Sequence, residues 1–225
     1  MAKVYLSPSD QESNVYAYDN TNEAVQCGRI AEACRAALER SGVEVKVGHM
    51  ISMAQKCSES NAFGADLHVP IHTNAFNGKV MGTRMFCYSA GGKGMAACKA
   101  IFARLAPITP GESENIQVNA DYYEVRVPAA PTAYIECEFH DTVEGAKWIV
   151  ENTVLIGETI ARGICDYFGV TFKEPEKPKP VEPEKKDVLY RVQIGAYKIK
   201  ANAEKRQAEA KAAGFTDAFI VTVEQ

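Results

Sequence analysis

A run of proline and charge, KEPEKPKPVEPEKK, lies between Phe172 and Asp187 and divides the 225-residue chain. Pro175, Pro178, Pro180 and Pro183 are interleaved with lysine and glutamate and with almost nothing apolar. Backbone of this kind favours the extended left-handed helix at about 3.1 Å per residue, so about fifteen residues form a semi-rigid spacer of roughly 45 Å. The expected organisation is a domain over residues 1–171, a linker over 172–187 and a small module over 188–225. The first stretch is long enough for one substantial core, whereas under forty residues cannot bury much of a core alone. A spacer suits two ends that work on a common, extended target.

Charge excludes one large class of partner. The formal net charge of -4 and a pI near 5.7 leave no broad basic footprint, and basic residues are mixed with acidic ones along the helical segments, so nucleic acid is not expected as a partner. Seven cysteines, at positions 27, 34, 57, 87, 98, 137 and 165, make an odd number with no CxxC pair, which argues against a disulfide framework or a zinc ribbon. They read as small buried hydrophobes of a reducing compartment. Met1 to Leu6 runs at once into a strand pattern without an apolar signal core, and no segment approaches the roughly 18 to 20 apolar residues of a membrane span. Synthesis in the cytoplasm without a signal peptide and no membrane association are expected.

Before the linker, strand-like and helix-like periods alternate. Strands are expected at Lys3 to Ser7, Val43 to Val47, Asp66 to His72, Thr83 to Tyr88 and Thr132 to Cys137. Helices are expected at Asn22 to Arg40, Met50 to Ser60, Gly94 to Leu105 and, as one long amphipathic element, Val143 to Phe168. The alternation predicts an α/β fold with a mostly parallel sheet flanked by helices, whose chemistry belongs at the carboxyl ends of the strands. After the linker, Leu189 to Ile194, Ala201 to Ala213 and Asp217 to Val223 predict a small C-terminal βαβ module.

Three residues stand out. The run Asp66-Leu67-His68-Val69-Pro70-Ile71-His72-Thr73-Asn74-Ala75 is an apolar strand that delivers His72 to the carboxyl edge, a place for a metal ligand or for a structural imidazole. The run Pro131-Thr132-Ala133-Tyr134-Ile135-Glu136-Cys137-Glu138-Phe139-His140-Asp141 carries Glu136 into the same region, where an unpaired carboxylate is costly unless it has a catalytic role or a partner such as Arg126. Glu23 opens the first helix, where charge in the first turn accounts for a lone acid.

Together these runs resemble the zinc-dependent N-acetylmuramoyl-L-alanine amidase family over residues 3 to 168. Pro70-Ile71-His72-Thr73-Asn74-Ala75 is similar to a strand ending S-I-H-A-N-A, the stretch from Pro131 to Phe139 to one ending P-A-x-L-V-E-x-G-F, and Glu23 to a helix glutamate. The resemblance implies a peptidoglycan hydrolase that cuts between N-acetylmuramic acid and L-alanine, with Glu23 and His72 as zinc ligands and Glu136 as general base. That family carries a further histidine ligand in a D-x-G-H-G-G loop after the first strand, but here the loop reads Ser7-Pro8-Ser9-Asp10-Gln11-Glu12-Ser13-Asn14. His140 is expected to supply the third ligand, with Asp10 as the alternative; His68 reads as a supporting or core residue and His49 as a solvated one.

The tail, with Leu189-Tyr190-Arg191-Val192-Gln193-Ile194-Gly195-Ala196-Tyr197 and Ala201-Asn202-Ala203-Glu204, resembles the opening half of a SPOR domain. That resemblance implies peptidoglycan binding, and uncovered strand edges in half a module suggest a homodimer through it. The whole reads as an endolysin or autolysin acting at the bacterial cell wall after release. The rivals are a catalytically inactive wall-binding or regulatory protein and a zinc peptidase acting on wall peptides.

Overall fold

A computed structural model describes residues 1–113, 116–175, 190 and 192–223, and the chain divides into two compact units at residue 176. The first unit holds β1 (Lys3–Pro8), α1 (Glu23–Arg40), β2 (Glu44–Val47), α2 (Met53–Phe63), β3 (Leu67–Asn74), β4 (Arg84–Cys87), α3 (Lys93–Leu105), β5 (Gln117–Val118), α4 (Tyr123–Arg126), β6 (Tyr134–Phe139), α5 (Val143–Glu151) and α6 (Thr153–Phe168). Its six strands form one sheet in the order β2-β1-β3-β6-β4-β5. Every neighbouring pair is parallel except β4 with β6, which runs antiparallel.

The alternation of side chains along a strand gives the two faces different work. Val4 and Leu6 of β1, Leu67, Val69 and Ile71 of β3, Met85 and Cys87 of β4 and Ile135 and Cys137 of β6 point to one face and join the core against α1, α3 and α6. The opposite face carries Tyr5, Ser7, His68, Pro70, His72, Tyr134 and Glu136, and α2 and α4 lie on that side. Helices α1 and α6 approach closely at Gly157, where a Cβ would stand 2.5 Å from the Ile30 carbonyl oxygen.

Local chemistry sets the element ends. Asn22 caps α1, its side chain accepting from the Val25 N–H at 3.0 Å, so the first helical residue is Glu23. The single helix expected from Val143 to Phe168 is two: at Asn152 the backbone leaves helical geometry (φ −125°, ψ 20°), and the Asn152 amide donates back to the Trp148 carbonyl at 2.8 Å. An asparagine that bonds the preceding turn competes with the helical ladder. The linker was expected to begin at residue 172, yet Phe172 lies against the guanidinium groups of Arg40 and Arg162. Lys173 bonds Ser41 and Arg40, and Glu174 pairs with Arg162, so residues 172–174 pack on the first unit. The rest of that expected linker, from 176, lies outside the described residues.

In the second unit the described residues form α7 (Lys200–Ala212) and no strand. This corrects the expected βαβ arrangement, although Leu189 and Arg191 fall outside the described residues. Gly214 takes φ +101° to end the helix, and Phe215 N–H bonds the Ala210 carbonyl. Val192, Ile199, Phe215 and Phe219 remain exposed, and Ala210 is the one buried hydrophobe among the described residues of this unit. Two short apolar runs are too little sheet to be stable by themselves. No helix among the described residues is long and apolar enough to cross a membrane.

Candidate active site

The carboxyl ends of β1, β3 and β6 bring Glu23, His72 and Glu136 together. β3 and β6 are adjacent and parallel, with His72 in register with Glu136. Because α1 begins at Glu23, its first-turn carboxylate reaches the end of β3: Oε1 lies 2.9 Å from His72 Nδ1 and accepts from Thr73 N–H at 3.4 Å. The other oxygen accepts from the Asn14 amide at 2.6 Å. Burial pushes the Glu23 carboxyl up, but the bonds from His72 and Asn14 outweigh it and hold the group below the usual carboxylate range. His72 is the complement: burial works against its charged form, and contact with Glu23 and the field of Glu136 raise it overall.

Glu136 behaves differently because no side chain among the described residues bonds its Oε2. It is 9% exposed, its Oε2 has no hydrogen-bond partner, and burial, aided by the negative charge of Glu23 and opposed by His72, pushes its carboxyl up to about 8. Arg126, the partner considered from sequence, is exposed. Arg84 stands in register with Glu136, but its guanidinium lies over the Phe139 ring and donates to the Thr83 and Glu112 carbonyls. His72 Nε2 is likewise buried without a partner. Tyr134 stacks on the His72 ring at 4.7 Å and continues into Tyr122 and Phe86, giving the imidazole an aromatic wall that fixes its plane. The arrangement is an ionised carboxylate on an imidazole, with a second, high-pKa carboxyl beside it: one side built to hold charge and one to exchange a proton.

His140 sits one link away. Its Nδ1 is 3.0 Å from Thr73 Oγ1, which also bonds the Tyr16 hydroxyl at 2.8 Å, and its ring stacks on Tyr16 at 4.9 Å. Burial holds its pKa down, which favours the neutral imidazole that metals bind. Asp10 faces the other way, with its oxygens taken by the Met50 and Ile51 N–H groups and the Lys56 ammonium. Glu23, His72 and His140 do not place three donor atoms within 4.8 Å of one another; among the described residues Cys57, His68 and Glu124 do.

Gln11 and Asn14 were not singled out from sequence, since polar amides after a strand look like ordinary turn residues. Gln11 Nε2 lies 3.5 Å from His72 Nδ1, and its Oε1 accepts from Asn14. The loop after β1 therefore closes over the Glu23–His72 pair with amides. A cleft of about 810 Å³ lined by Met1, Asn61, Asp66 and Tyr167 lies at the opposite, amino-terminal edge of the strands and touches none of these groups.

Comparison with known proteins identifies the fold and the family. The chain is similar to a sporulation-specific N-acetylmuramoyl-L-alanine amidase of Bacillus subtilis, 26% identical over 98% of this chain and 85% of that protein. The fold is shared with the catalytic domain of the amidase CwlV from Paenibacillus polymyxa, with a TM-score of 0.69 and 16% identity over 76% of this chain and all of that domain. It is also shared with the amidase AmiC2 of Nostoc punctiforme, with a TM-score of 0.66 and 18% identity over 75% of this chain and 97% of that one. Residues 174–224 match the SPOR domain family. Residues 9–166 match the N-acetylmuramoyl-L-alanine amidase family, and to that family this chain belongs.

Proposed function

We propose that the chain is a zinc-dependent peptidoglycan amidase that cleaves between N-acetylmuramic acid and L-alanine, with Glu136 as its general base. The observation that carries this reading is the contrast of two neighbouring carboxyls: Glu23 is held ionised against His72, while Glu136 is raised to about 8 with a free oxygen. One carboxyl is a ligand by chemistry and the other a proton carrier near neutral pH.

The residues present suit a zinc ion. Carboxylate oxygen and imidazole nitrogen are both zinc ligands, and the unpartnered His72 Nε2 marks a polar group with capacity to spare. Glu23 and His72 would hold the ion. His140 is proposed as third donor because a second imidazole suits zinc best, although it must give up its bond to Thr73; Gln11 is nearer to His72 but brings a weaker amide oxygen. The chemistry supplied by the bound ion is polarisation of the scissile carbonyl and acidification of a water molecule. In its ionised form, which a cation held beside it would favour, Glu136 Oε2 accepts the proton of the attacking water and passes it to the departing L-alanine amine. Tyr134 keeps the His72 plane fixed, and Asn14 keeps Glu23 oriented.

The tail is proposed to bind the wall and to pair with a second copy, with the enzyme acting at the cell wall as an endolysin or autolysin. The test is digestion of purified wall by the full chain with and without a chelator. A new L-alanine amine that disappears on zinc removal is expected. New amines from crosslink residues would favour a wall peptidase, and no new amine would favour an inactive wall-binding protein.

A further inference from the structure

A second constellation lies on the same sheet face as His72, closer to the amino ends of the strands. Cys57 of α2, His68 of β3 and Glu124 of α4 each place one donor atom within 4.8 Å of the other two, and their exposures are 1%, 0% and 2%. His68 precedes His72 by four residues of extended strand, roughly 13 Å. The cluster is therefore separate from Glu23 and Glu136.

Its electrostatics call for a cation. Burial drives the Glu124 carboxyl up, but bonds to His68 Nε2 at 3.3 Å and from the Ser7 hydroxyl outweigh burial and keep the group below the usual carboxylate range. A carboxylate is thus kept in the interior with an imidazole nitrogen of His68 3.3 Å from its oxygen. His68 Nδ1 is buried without a hydrogen-bond partner. Burial pushes the Cys57 thiol up to about 11, and at 1% exposure no substrate reaches it, so a thiol nucleophile is the wrong reading. Buried polar groups left unsatisfied are costly, and one divalent ion compensates the carboxylate while engaging the thiol and the imidazole.

We infer that Cys57, His68 and Glu124 form a structural site for a zinc-class transition-metal ion, distinct from any ion at Glu23 and His72. Thiolate, imidazole and carboxylate are all zinc ligands, whereas magnesium and calcium take oxygen sets. With bonds of about 2.3 Å to sulfur and about 2.0–2.2 Å to nitrogen and oxygen, tetrahedral donors stand roughly 3.3–3.8 Å apart, so donors that already lie within 4.8 Å of one another need to close by at most about 1.5 Å. Binding exchanges the Cys57 S–H bond for a sulfur–metal bond and releases that proton to solvent; no electron is transferred. Ser7 already donates to Glu124 and offers a hydroxyl for the fourth position. Such an ion ties α2 and α4, which cover this face, to the central strand β3.

The experiment uses the full chain loaded with zinc or cobalt. X-ray absorption of the zinc form should show a sulfur neighbour at about 2.3 Å, and the cobalt form should show a near-ultraviolet thiolate-to-cobalt charge-transfer band. Glu23 and His72 contain no sulfur, and no other group of three donors among the described residues includes a cysteine. Cys57→Ser should remove the band and bind one ion fewer per chain, while His72→Ala should keep the band. Absence of both the sulfur neighbour and the band in the unaltered chain overturns the inference, as does a band that survives in Cys57→Ser. If Cys57→Ser does not fold, the sulfur neighbour in the unaltered chain decides the question alone.

Discussion

Replacing Glu136 by glutamine is expected to make the protein more stable and less active at once. The carboxyl is 9% exposed, is raised to about 8 by burial, and has one oxygen without a partner; in the unfolded chain it titrates near 4.3. In metal-free protein below about pH 4.3, both states carry the neutral acid and the substitution changes little. Between about 4.3 and about 8 the folded form keeps a proton that the unfolded form has released, so stability falls as pH rises. Above about 8 the loss is complete. At about 1.4 kcal/mol per pH unit, the penalty for ionising Glu136 in place is at most about 5 kcal/mol. Glutamine has no such term, so metal-free Glu136→Gln should melt higher than its parent near pH 9, by about 2–4 °C per kcal/mol recovered, and match it near pH 4. Hydrolysis of soluble wall fragments by the zinc-loaded variant should drop by about 10²- to 10⁴-fold. Thermal unfolding at the two pH values and release of the L-alanine amine are the assays. Coincident melting curves at both pH values would show that burial does not strain the carboxylate, and near-parental hydrolysis would remove it as the base.

The remaining predictions concern packing, reach and ligation. Gly157→Ala would place a methyl 2.5 Å from the Ile30 carbonyl oxygen and 2.7 Å from Ala33 Cβ. Overpacking of about 1–3 kcal/mol outweighs the gain in helix propensity of up to about 1 kcal/mol, so melting should fall by several degrees, and an unchanged melting point would disprove the close contact. Truncation after Pro175, which keeps the packed residues 172–174, should leave hydrolysis of soluble fragments nearly unchanged, weaken binding to intact sacculi and turn a dimer into a monomer by light scattering; equal sacculus binding would end the targeting proposal. Zinc affinity of His140→Ala, Gln11→Ala and Asp10→Ala identifies the third donor. His140→Ala should lose far more than the roughly 10- to 100-fold typical of neighbours of a ligand, and parental affinity in that variant would pass the role to Gln11.

Much of this site was legible because its residues sit on elements with strong periods. The largely apolar run before His72, the similar run before Glu136 and the helical spacing after Asn22 each fix an element, and an α/β order carries their ends to one edge. Other features left no such trace. Alternation reads the same in either direction, so the antiparallel course of β4 was hidden, and β5 and α4 are too short to show a period. Glu124 therefore went unnoticed, although it is among the most buried acids of the first unit. The break at Asn152 rests on one side-chain bond inside an otherwise continuous amphipathic pattern. In the tail the apolar alternation is real, but strands need partners as well as periods, and Val192 and Val223 have none to pair with among the described residues.

All seven cysteines are free and buried, and they are spread over α1, α2, β4, α3, β6 and α6. A thiol-reactive dye added to the folded chain meets no accessible sulfur, so each labelling event requires its own segment to open first. Where reclosing outpaces reaction, the labelling rate at each cysteine reports the free energy of that opening, and mass spectrometry of the digested chain assigns the seven rates separately. The first unit thus carries its own set of local opening gauges, with Cys34 and Cys165 on the packed pair α1 and α6 and Cys87 and Cys98 on the β4 and α3 side, and no label has to be engineered to read them.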